Sequence, residues 1–140
     1  MLTRALLIGL LICGVPGAAA AEDAKVLALG LADHEVTQEE LDKGAALPVP
    51  RFNSPAVAYV SVANLKKGDT VELSLANNEK PLLTNSETLA EDRATFLLQA
   101  GKRGVPAGGW PSEWTYLAKL KITRDGKVLI EQATSPIPFE

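Results

Sequence analysis

The sequence contains very few of the side chains on which most enzymes and metal proteins depend. Its 140 residues include one cysteine, one histidine and one methionine, and aromatic residues make up 5% of the chain. A serine or cysteine nucleophile needs a base close to it, and His34 is the one histidine that could serve. Zinc and copper sites draw on several histidine or cysteine ligands. We therefore expect a protein that is not an enzyme and that binds no metal and no cofactor.

His34 is flanked by acidic residues, which raises the question of an ion site. Asp33, His34 and Glu35 are adjacent in sequence. On an extended chain these side chains point to alternating sides, so they do not converge on one ion without a turn. We interpret His34 as a solvated residue at the end of a strand rather than as a metal ligand.

The first residues have the composition of a secretory signal peptide. Arg4 precedes an apolar run over residues 5–15, and the small residues Ala18–Ala21 follow. This order of a basic start, an apolar run and small residues is typical of a cleaved export signal, and the run is too short to span a bilayer comfortably. We predict a signal peptide over residues 1–21 and a single periplasmic or secreted domain over residues 22–140.

Cleavage after Ala20 or Ala21 removes Cys13, the one cysteine of the sequence. The mature domain then has no disulfide, although its compartment would allow one, and is held together by its apolar core. A lipoprotein signal at Cys13 is the alternative, but Ile12 occupies the position where that signal requires a small side chain. A mature chain of roughly 120 residues suffices for one core and is too short for two.

The charge of the chain restricts the partners that it could bind. The formal net charge is −3 at pH 7, and the loss of Arg4 with the signal makes the mature domain more acidic. An acidic domain is poorly suited to nucleic acid or to anionic lipid. No later apolar stretch is long enough to span a membrane. We therefore expect a protein or a component of the cell envelope as the partner.

The strongest local pattern of the sequence lies between Trp114 and Ile130. Every second residue from Trp114 to Ile122 is apolar, as in a strand with one buried face. Asp125-Gly126 then favours a tight turn of the primed type, because both residue types accept positive φ. Val128 and Ile130 are expected to continue the buried face. The pattern predicts a β-hairpin against which the rest of the chain packs.

Similar apolar segments occur along the mature chain at intervals of about ten residues, with turn residues between them and no long helix. The segment 56–65 is apolar on both faces, which is typical of a central strand. We predict an all-β fold, a single antiparallel immunoglobulin-like β-sandwich of about seven strands. The further predicted strands cover residues 25–32, 56–65, 70–76, 81–84 and 93–100.

Two other segments are less regular. Thr37 to Glu40 has the form of a capping box, and Gly44 could end one or two helical turns. Because no long amphipathic stripe follows, we favour a solvated connecting loop over residues 33–50. The prolines of residues 135–140 predict a tail that runs along the edge of a sheet.

Two motifs carry a resemblance to a known kind of domain. Residues 106–116 read Pro-Ala-Gly-Gly-Trp-Pro-Ser-Glu-Trp-Thr-Tyr and precede an Asp-Gly-Lys turn at residues 125–127, while residues 65–72 read Leu-Lys-Lys-Gly-Asp-Thr-Val-Glu. Both resemble segments of small immunoglobulin-like (fibronectin-III-like) β-sandwich domains of bacterial exported periplasmic proteins. The chain departs from them at Ser112-Glu113, where Pro-Gly is usual. The resemblance covers about half of the mature chain and implies a fold and a compartment rather than an activity.

The glycine-rich loop of residues 101–111 is the candidate binding surface. It combines Lys102 and Arg103 with Trp110, and an exposed tryptophan beside cations is a common recognition anchor. The alternative is structural, since an aromatic residue can cover the open end of a sandwich. We favour this structural role for Trp110, and also for Trp114, which lies in the strand pattern.

These observations predict a non-catalytic periplasmic binding or accessory module. It would contact its partner through the end loops, chiefly residues 101–111, or through an exposed edge strand. An inhibitor of a secreted or periplasmic protease is the alternative, but four glycines in an undisulfided loop give little of the rigidity that inhibition needs. A carbohydrate-binding module that uses Trp110 is a third possibility, although such sites usually present two or three coplanar aromatic rings.

Overall fold

The computed structural model describes residues 23–140, apart from residues 45, 79, 103, 104 and 112, and gives only the backbone of Lys102. The signal peptide predicted for residues 1–21 therefore lies outside the described residues. Eight strands and one short helix form the described part. They are β1 (Lys25–Ala32), α1 (Gln38–Asp42), β2 (Ala56–Leu65), β3 (Thr70–Asn77), β4 (Lys80–Thr88), β5 (Arg93–Lys102), β6 (Thr115–Arg124), β7 (Lys127–Ala133) and β8 (Ile137–Pro138).

The strands form two antiparallel sheets that pack against each other. The first sheet has the order β1-β2-β5, and the second has the order β4-β3-β6-β7, with the short β8 also pairing with β6. One apolar core, with residues from both sheets, lies between them. This arrangement confirms the predicted all-β antiparallel sandwich. No helix in the described part of the chain has the length and hydropathy that a bilayer crossing requires.

The buried positions follow the alternation in the sequence. On β3, Val71, Leu73 and Leu75 are fully buried, whereas Glu72 is exposed. On β6 the alternate set from Tyr116 to Ile122 is buried in the same way. Side chains of a strand point alternately to its two faces, so the period-two pattern is enough to define the core side of the sheet.

The hairpin turn has the predicted geometry, but one of its apolar residues does not face the core. Asp125 and Gly126 have φ values of +54° and +78°, as a primed turn requires. Val128 was expected to be buried, and this prediction is wrong because its side chain is 53% exposed. A register shift places Val128 opposite Thr123, while Ile130 stays opposite the buried Ile122.

The central strand β2 is buried on both faces, as predicted. Its outward residues Val57 and Ser61 are only 2% and 1% exposed. The connection between β1 and β2 crosses this outer face and is tied to it by side chains. Ser61 donates a hydrogen bond to Gln38, and the Gln99 amide bonds both the N–H and the carbonyl of Val36, at 2.7 and 2.8 Å.

The interpretation of residues 33–50 as a loop is wrong for α1, which spans Gln38–Asp42. The capping box is present: the Thr37 hydroxyl accepts from the Glu40 N–H at 3.1 Å, and the Glu40 carboxylate accepts from the Thr37 N–H at 3.0 Å. Gly44, with φ of +68°, follows the helix. The helix needs no apolar stripe because it is attached to the sheet by polar contacts, and none of its residues is buried.

Three of the outer strands contain a β-bulge, and each bulge has a leucine as its extra residue. The extra residues are Leu27 on β1, Leu82 on β4 and Leu129 on β7, none of which has a partner on the neighbouring strand. Pro81 on β4 also lacks the N–H that a further strand would need. Bulges and prolines at sheet edges hinder the pairing of an additional strand. β1, β4 and β7 are therefore poor templates for strand addition, whereas β5, the other edge of the first sheet, pairs with β2 without a bulge.

Candidate functional site

An aromatic cluster closes one end of the sandwich. The rings of Tyr116 and Phe139 stack with their centroids 3.9 Å apart, and Trp110 meets both rings edge-on at 5.8 Å. Trp110 is 6% exposed, and its indole N–H donates a hydrogen bond to the Ser54 carbonyl at 2.9 Å. Trp110 therefore covers the end of the sandwich and is not an exposed recognition anchor.

Gly109 makes the burial of Trp110 possible. Its φ is +84°, and a Cβ at this position would lie 2.8 Å from the carbonyl oxygen of Phe52. The Trp110 backbone N–H donates to that same carbonyl at 2.7 Å. The Pro111 carbonyl accepts a hydrogen bond from the Tyr116 hydroxyl at 3.0 Å. The Gly-Trp-Pro motif therefore binds the loop to the sandwich end rather than presenting a tryptophan to solvent.

The expectation that Trp114 covers the end of the sandwich is wrong. The strand β6 begins at Thr115, so Trp114 belongs to the preceding turn and not to the alternation of the strand. Its side chain is 39% exposed, and its ring lies 6.3 Å from that of Tyr116 at a tilt of 51°. Of the two tryptophans, Trp114 rather than Trp110 exposes its ring to solvent.

Trp114 forms part of an apolar groove, which we call the Trp114 groove. Its volume is about 340 Å³. It lies between the loop that precedes β6 and the outer strand β4, and the described residues that line it are all apolar. These residues are Leu82, Leu83, Pro106, Ala107, Gly109, Trp110, Pro111 and Trp114.

The two leucines of the groove are consecutive residues of one strand. Consecutive strand residues normally point to opposite faces. Leu82 is the extra residue of the β4 bulge, which interrupts that alternation, and both Leu82 and Leu83 are half-buried against the core. Sequence reasoning missed both residues. The available signal was a pair of adjacent leucines in a strand predicted to lie at an edge, where one face is open to water.

The three predicted binding residues do not form one described site. Trp110 lines the groove but is buried. Lys102 ends β5 with its backbone opposite Ala56, and its side chain lies outside the described part. Arg103 also lies outside the described residues. The contribution of the two cations to binding therefore stays a prediction.

The opposite end of the sandwich is held by a buried ion pair. The Asp69 side chain is 1% exposed and accepts hydrogen bonds from Nε and Nη2 of Arg124, both at 2.8 Å, and from the Lys66 N–H at 2.8 Å. The Arg124 guanidinium in particular holds the pKa of Asp69 below its usual range. The Asp69 carbonyl also accepts a hydrogen bond from the Leu89 N–H, which links this turn to the β4–β5 connection. The Gly-Asp motif at residues 68–69 thus has a structural role.

Within the described residues, no group of three or more His, Cys, Asp or Glu side chains is placed to hold a metal ion. His34 lies just beyond β1 and is 39% exposed, but both of its ring nitrogens contact carboxylates, at 2.8 Å. One of these carboxylates belongs to Glu40, which α1 brings back towards the strand end.

Comparisons with known proteins give no relative from which a function could be carried over: no protein-family model matches the chain, and a search of curated proteins finds no match. The fold and the Trp114 groove are therefore the features that bear on function.

Proposed function

We propose that this chain is a non-catalytic binding module of the periplasm, or a secreted one, that contacts a protein partner through the Trp114 groove. The observation that carries the proposal is the half-exposed Trp114 in a groove lined by apolar residues. Tryptophan is strongly enriched among the residues that dominate binding energy, especially where it borders a pocket that excludes water.

The size and chemistry of the groove indicate what it accepts. A volume of about 340 Å³ lies at the lower end of ligand sites and holds one or two large side chains. The described lining offers apolar surface, so its favourable occupant is an apolar or aromatic side chain rather than a charged group. A typical stable interface buries about 800 Å² on each partner, far more than this groove offers, so a short anchoring segment fits better than a broad face.

Contact through an edge strand receives less support than contact through the end loops. β1, β4 and β7 each contain a bulge, and β4 also contains Pro81. β5 contains no bulge, but its Gln99 carbonyl accepts a hydrogen bond from the Asn85 amide of β4 at 2.8 Å, so one backbone acceptor of this edge is already occupied by the other sheet. These features favour the groove over the edges as the contact surface.

The immunoglobulin-like identity of the domain belongs to the same proposal. The sheet orders β1-β2-β5 and β4-β3-β6-β7 correspond to strands A-B-E and C′-C-F-G of such sandwiches. The motif resemblance supports the same proposal, since the Gly-Asp segment leads into β3 and the Gly-Trp-Pro segment precedes β6. The signal predicted for residues 1–21 supports the exported location.

The two other functions fit the geometry less well. A protease inhibitor inserts a protruding loop into the enzyme, whereas the loop before β6 contributes to a groove. A carbohydrate platform needs neighbouring exposed rings, and both Trp110 and Tyr116 are buried beside Trp114. We therefore keep protease inhibition as the alternative and protein binding as the proposal.

Replacing Trp114 with alanine is expected to weaken partner capture strongly and to leave the fold intact. A tryptophan anchor typically contributes about 2 kcal/mol or more, so the Kd should rise by about thirtyfold or more, and recovery of the partner should fall with it. The measurement is quantitative recovery of cross-linked proteins with the tagged full chain, expressed in its own cells and released from the periplasm.

Leu129→Ala is the matched control, because Leu129 is also 39% exposed but lies on β7, away from the groove lining. Partners lost with Trp114→Ala and retained with Leu129→Ala support the proposal. An unchanged set of partners with Trp114→Ala contradicts it. Release of the tagged protein with the cytoplasmic fraction would contradict the exported location.

A further inference from the structure

The imidazole ring of His34 lies between two carboxylates from different parts of the chain. Its Nδ1 is 2.8 Å from Oδ1 of Asp33, directly after β1, and its Nε2 is 2.8 Å from Oε2 of Glu40, on α1. The side chain is 39% exposed, so water can exchange protons with the ring. This contact is independent of the Trp114 groove.

Both contacts are hydrogen bonds only when the ring carries two N–H groups. A neutral imidazole has one donor and one lone pair, and a lone pair that faces a carboxylate oxygen is repelled by it. The doubly bound arrangement therefore belongs to the imidazolium. Hydrogen bonds to Asp33 and then to Glu40 raise the pKa of His34, against a smaller opposing effect of burial, and His34 in turn lowers the pKa of Glu40.

Glu40 joins this contact to the capping of the helix. One oxygen of its carboxylate accepts the Thr37 N–H at 3.0 Å, and the other contacts His34. A helix of five residues is not stable by itself, so α1 depends on contacts of this kind. Other contacts also hold this connection to the sheet: Ser61 donates a hydrogen bond to Gln38, and the Val36 N–H donates to the Gln99 amide oxygen.

The other ionisable groups near the ring lie on the elements that pack against this connection. The charges that act on the ring are those of Asp33 and Glu40. On α1, Glu39 pairs with Lys43 at 3.8 Å. On β2 beneath the connection, burial raises the pKa of Tyr59, which therefore stays neutral. The side chain that β5 presents to the connection is the uncharged Gln99, in a small cavity that Glu35 also lines.

We propose that His34 is a proton-dependent latch, which holds α1 to the end of β1 while the ring is doubly protonated and releases one carboxylate when a ring proton is lost. With the latch open, α1 moves away more readily from the outer face of β2, where Val57 and Ser61 are covered. The latch thus couples pH to the exposure of one face of the first sheet.

The latch operates within a window of pH. The pKa of His34 is raised in the latched state, so its contribution is complete below the ordinary histidine pKa and is lost as pH rises through the raised value. The pKa of Glu40 is lowered, so its contribution is present above the ordinary glutamate pKa and is lost as pH falls through the lowered value. Between these limits, from mildly acidic to near-neutral pH, α1 is held most firmly.

Hydrogen exchange and an NMR titration on the purified protein test the latch. The chain has one histidine, so its ring signal is assigned without ambiguity. We expect a pKa above the ordinary value. We also expect the exchange protection of the hydrogen-bonded amides of Glu40, Leu41, Lys43 and Gly44, corrected for intrinsic rates, to decrease as pH rises through that pKa. The protection factor should fall tenfold for each unit by which the His34 pKa in the latched state exceeds the His34 pKa in the open state.

Two variants of the same helix separate the latch from a general effect of charge. Glu40→Gln keeps a side chain that suits the capping box but removes the carboxylate, so it should lower the His34 pKa and remove the pH dependence of α1 protection. Glu39→Gln also removes one negative charge from α1, but beside Lys43. It should leave the His34 pKa and the pH dependence of α1 protection unchanged. Wild-type protection that does not vary with pH, or an equal response of the two variants, overturns the latch.

Discussion

Replacing Asp69 with alanine is expected to lower the free energy of unfolding by about 2 to 3 kcal/mol, because the buried carboxylate accepts several hydrogen bonds, two of them from a charged group. The substitution removes two hydrogen bonds to Arg124 and one to the Lys66 N–H. It leaves Arg124, which is 30% exposed, without its carboxylate at the end of the core. Equilibrium urea unfolding of the wild type and the variant measures the difference.

Asp92 provides the control for this experiment. Its exposed carboxylate accepts the Lys67 N–H at 2.8 Å, so it bonds the same turn without being buried. Asp92→Ala should cost less than about 1 kcal/mol. A similar loss for Asp69→Ala and Asp92→Ala would contradict the structural role of the buried pair.

The contribution of Asp69 also has a defined pH dependence. Its pKa is lowered in the folded protein, chiefly by Arg124, so the stabilisation is present above the usual range of aspartate and is lost as pH falls through the lowered pKa. The difference in stability between the wild type and Asp69→Asn should therefore shrink in acid.

Replacing Trp110 with alanine is expected to cost about 3 to 5 kcal/mol, as is typical of large aromatic residues in a core. The change leaves a cavity beside the stacked rings of Tyr116 and Phe139 and removes the hydrogen bond to Ser54. Thermal or urea unfolding measures the loss, and near-ultraviolet circular dichroism should report looser packing of the remaining aromatic rings.

Trp114→Ala is the control for the Trp110→Ala variant. Because Trp114 is 39% exposed, its removal should cost clearly less than that of Trp110, about 1 to 2 kcal/mol. A loss for Trp114→Ala that equals the loss for Trp110→Ala would mean that Trp114 is a core residue, and the groove would lose its role as a docking site.

The sheets could be predicted because their signal is local. Alternation along β3 and β6 defines the buried face within each strand, and Asp125-Gly126 defines its turn from two adjacent residues. α1 was missed for a physical reason. Its capping box is local, but the contacts that stabilise so short a helix come from Ser61 and Gln99 on strands far along the chain.

The candidate site was less predictable because small shifts along the chain decide which side chains are exposed. Trp114 continues the apolar alternation of β6 but lies one residue before the strand begins, so it escapes burial. Phe139, between a proline and the end of the chain, gives no periodic signal and is nevertheless fully buried. The bulge at Leu82 arises from pairing with β3, which no property of β4 alone reveals.

The central claim is that Trp110 holds the fold while Trp114 is presented to a partner. The sequence contains two tryptophans, so Trp110→Phe and Trp114→Phe each leave one reporter. Acrylamide quenching of fluorescence tests the claim most directly. The account predicts strong quenching and red-shifted emission for the variant that retains Trp114, and weak quenching with blue-shifted emission for the variant that retains Trp110. Equal quenching of the two variants, or the reverse order, would contradict it.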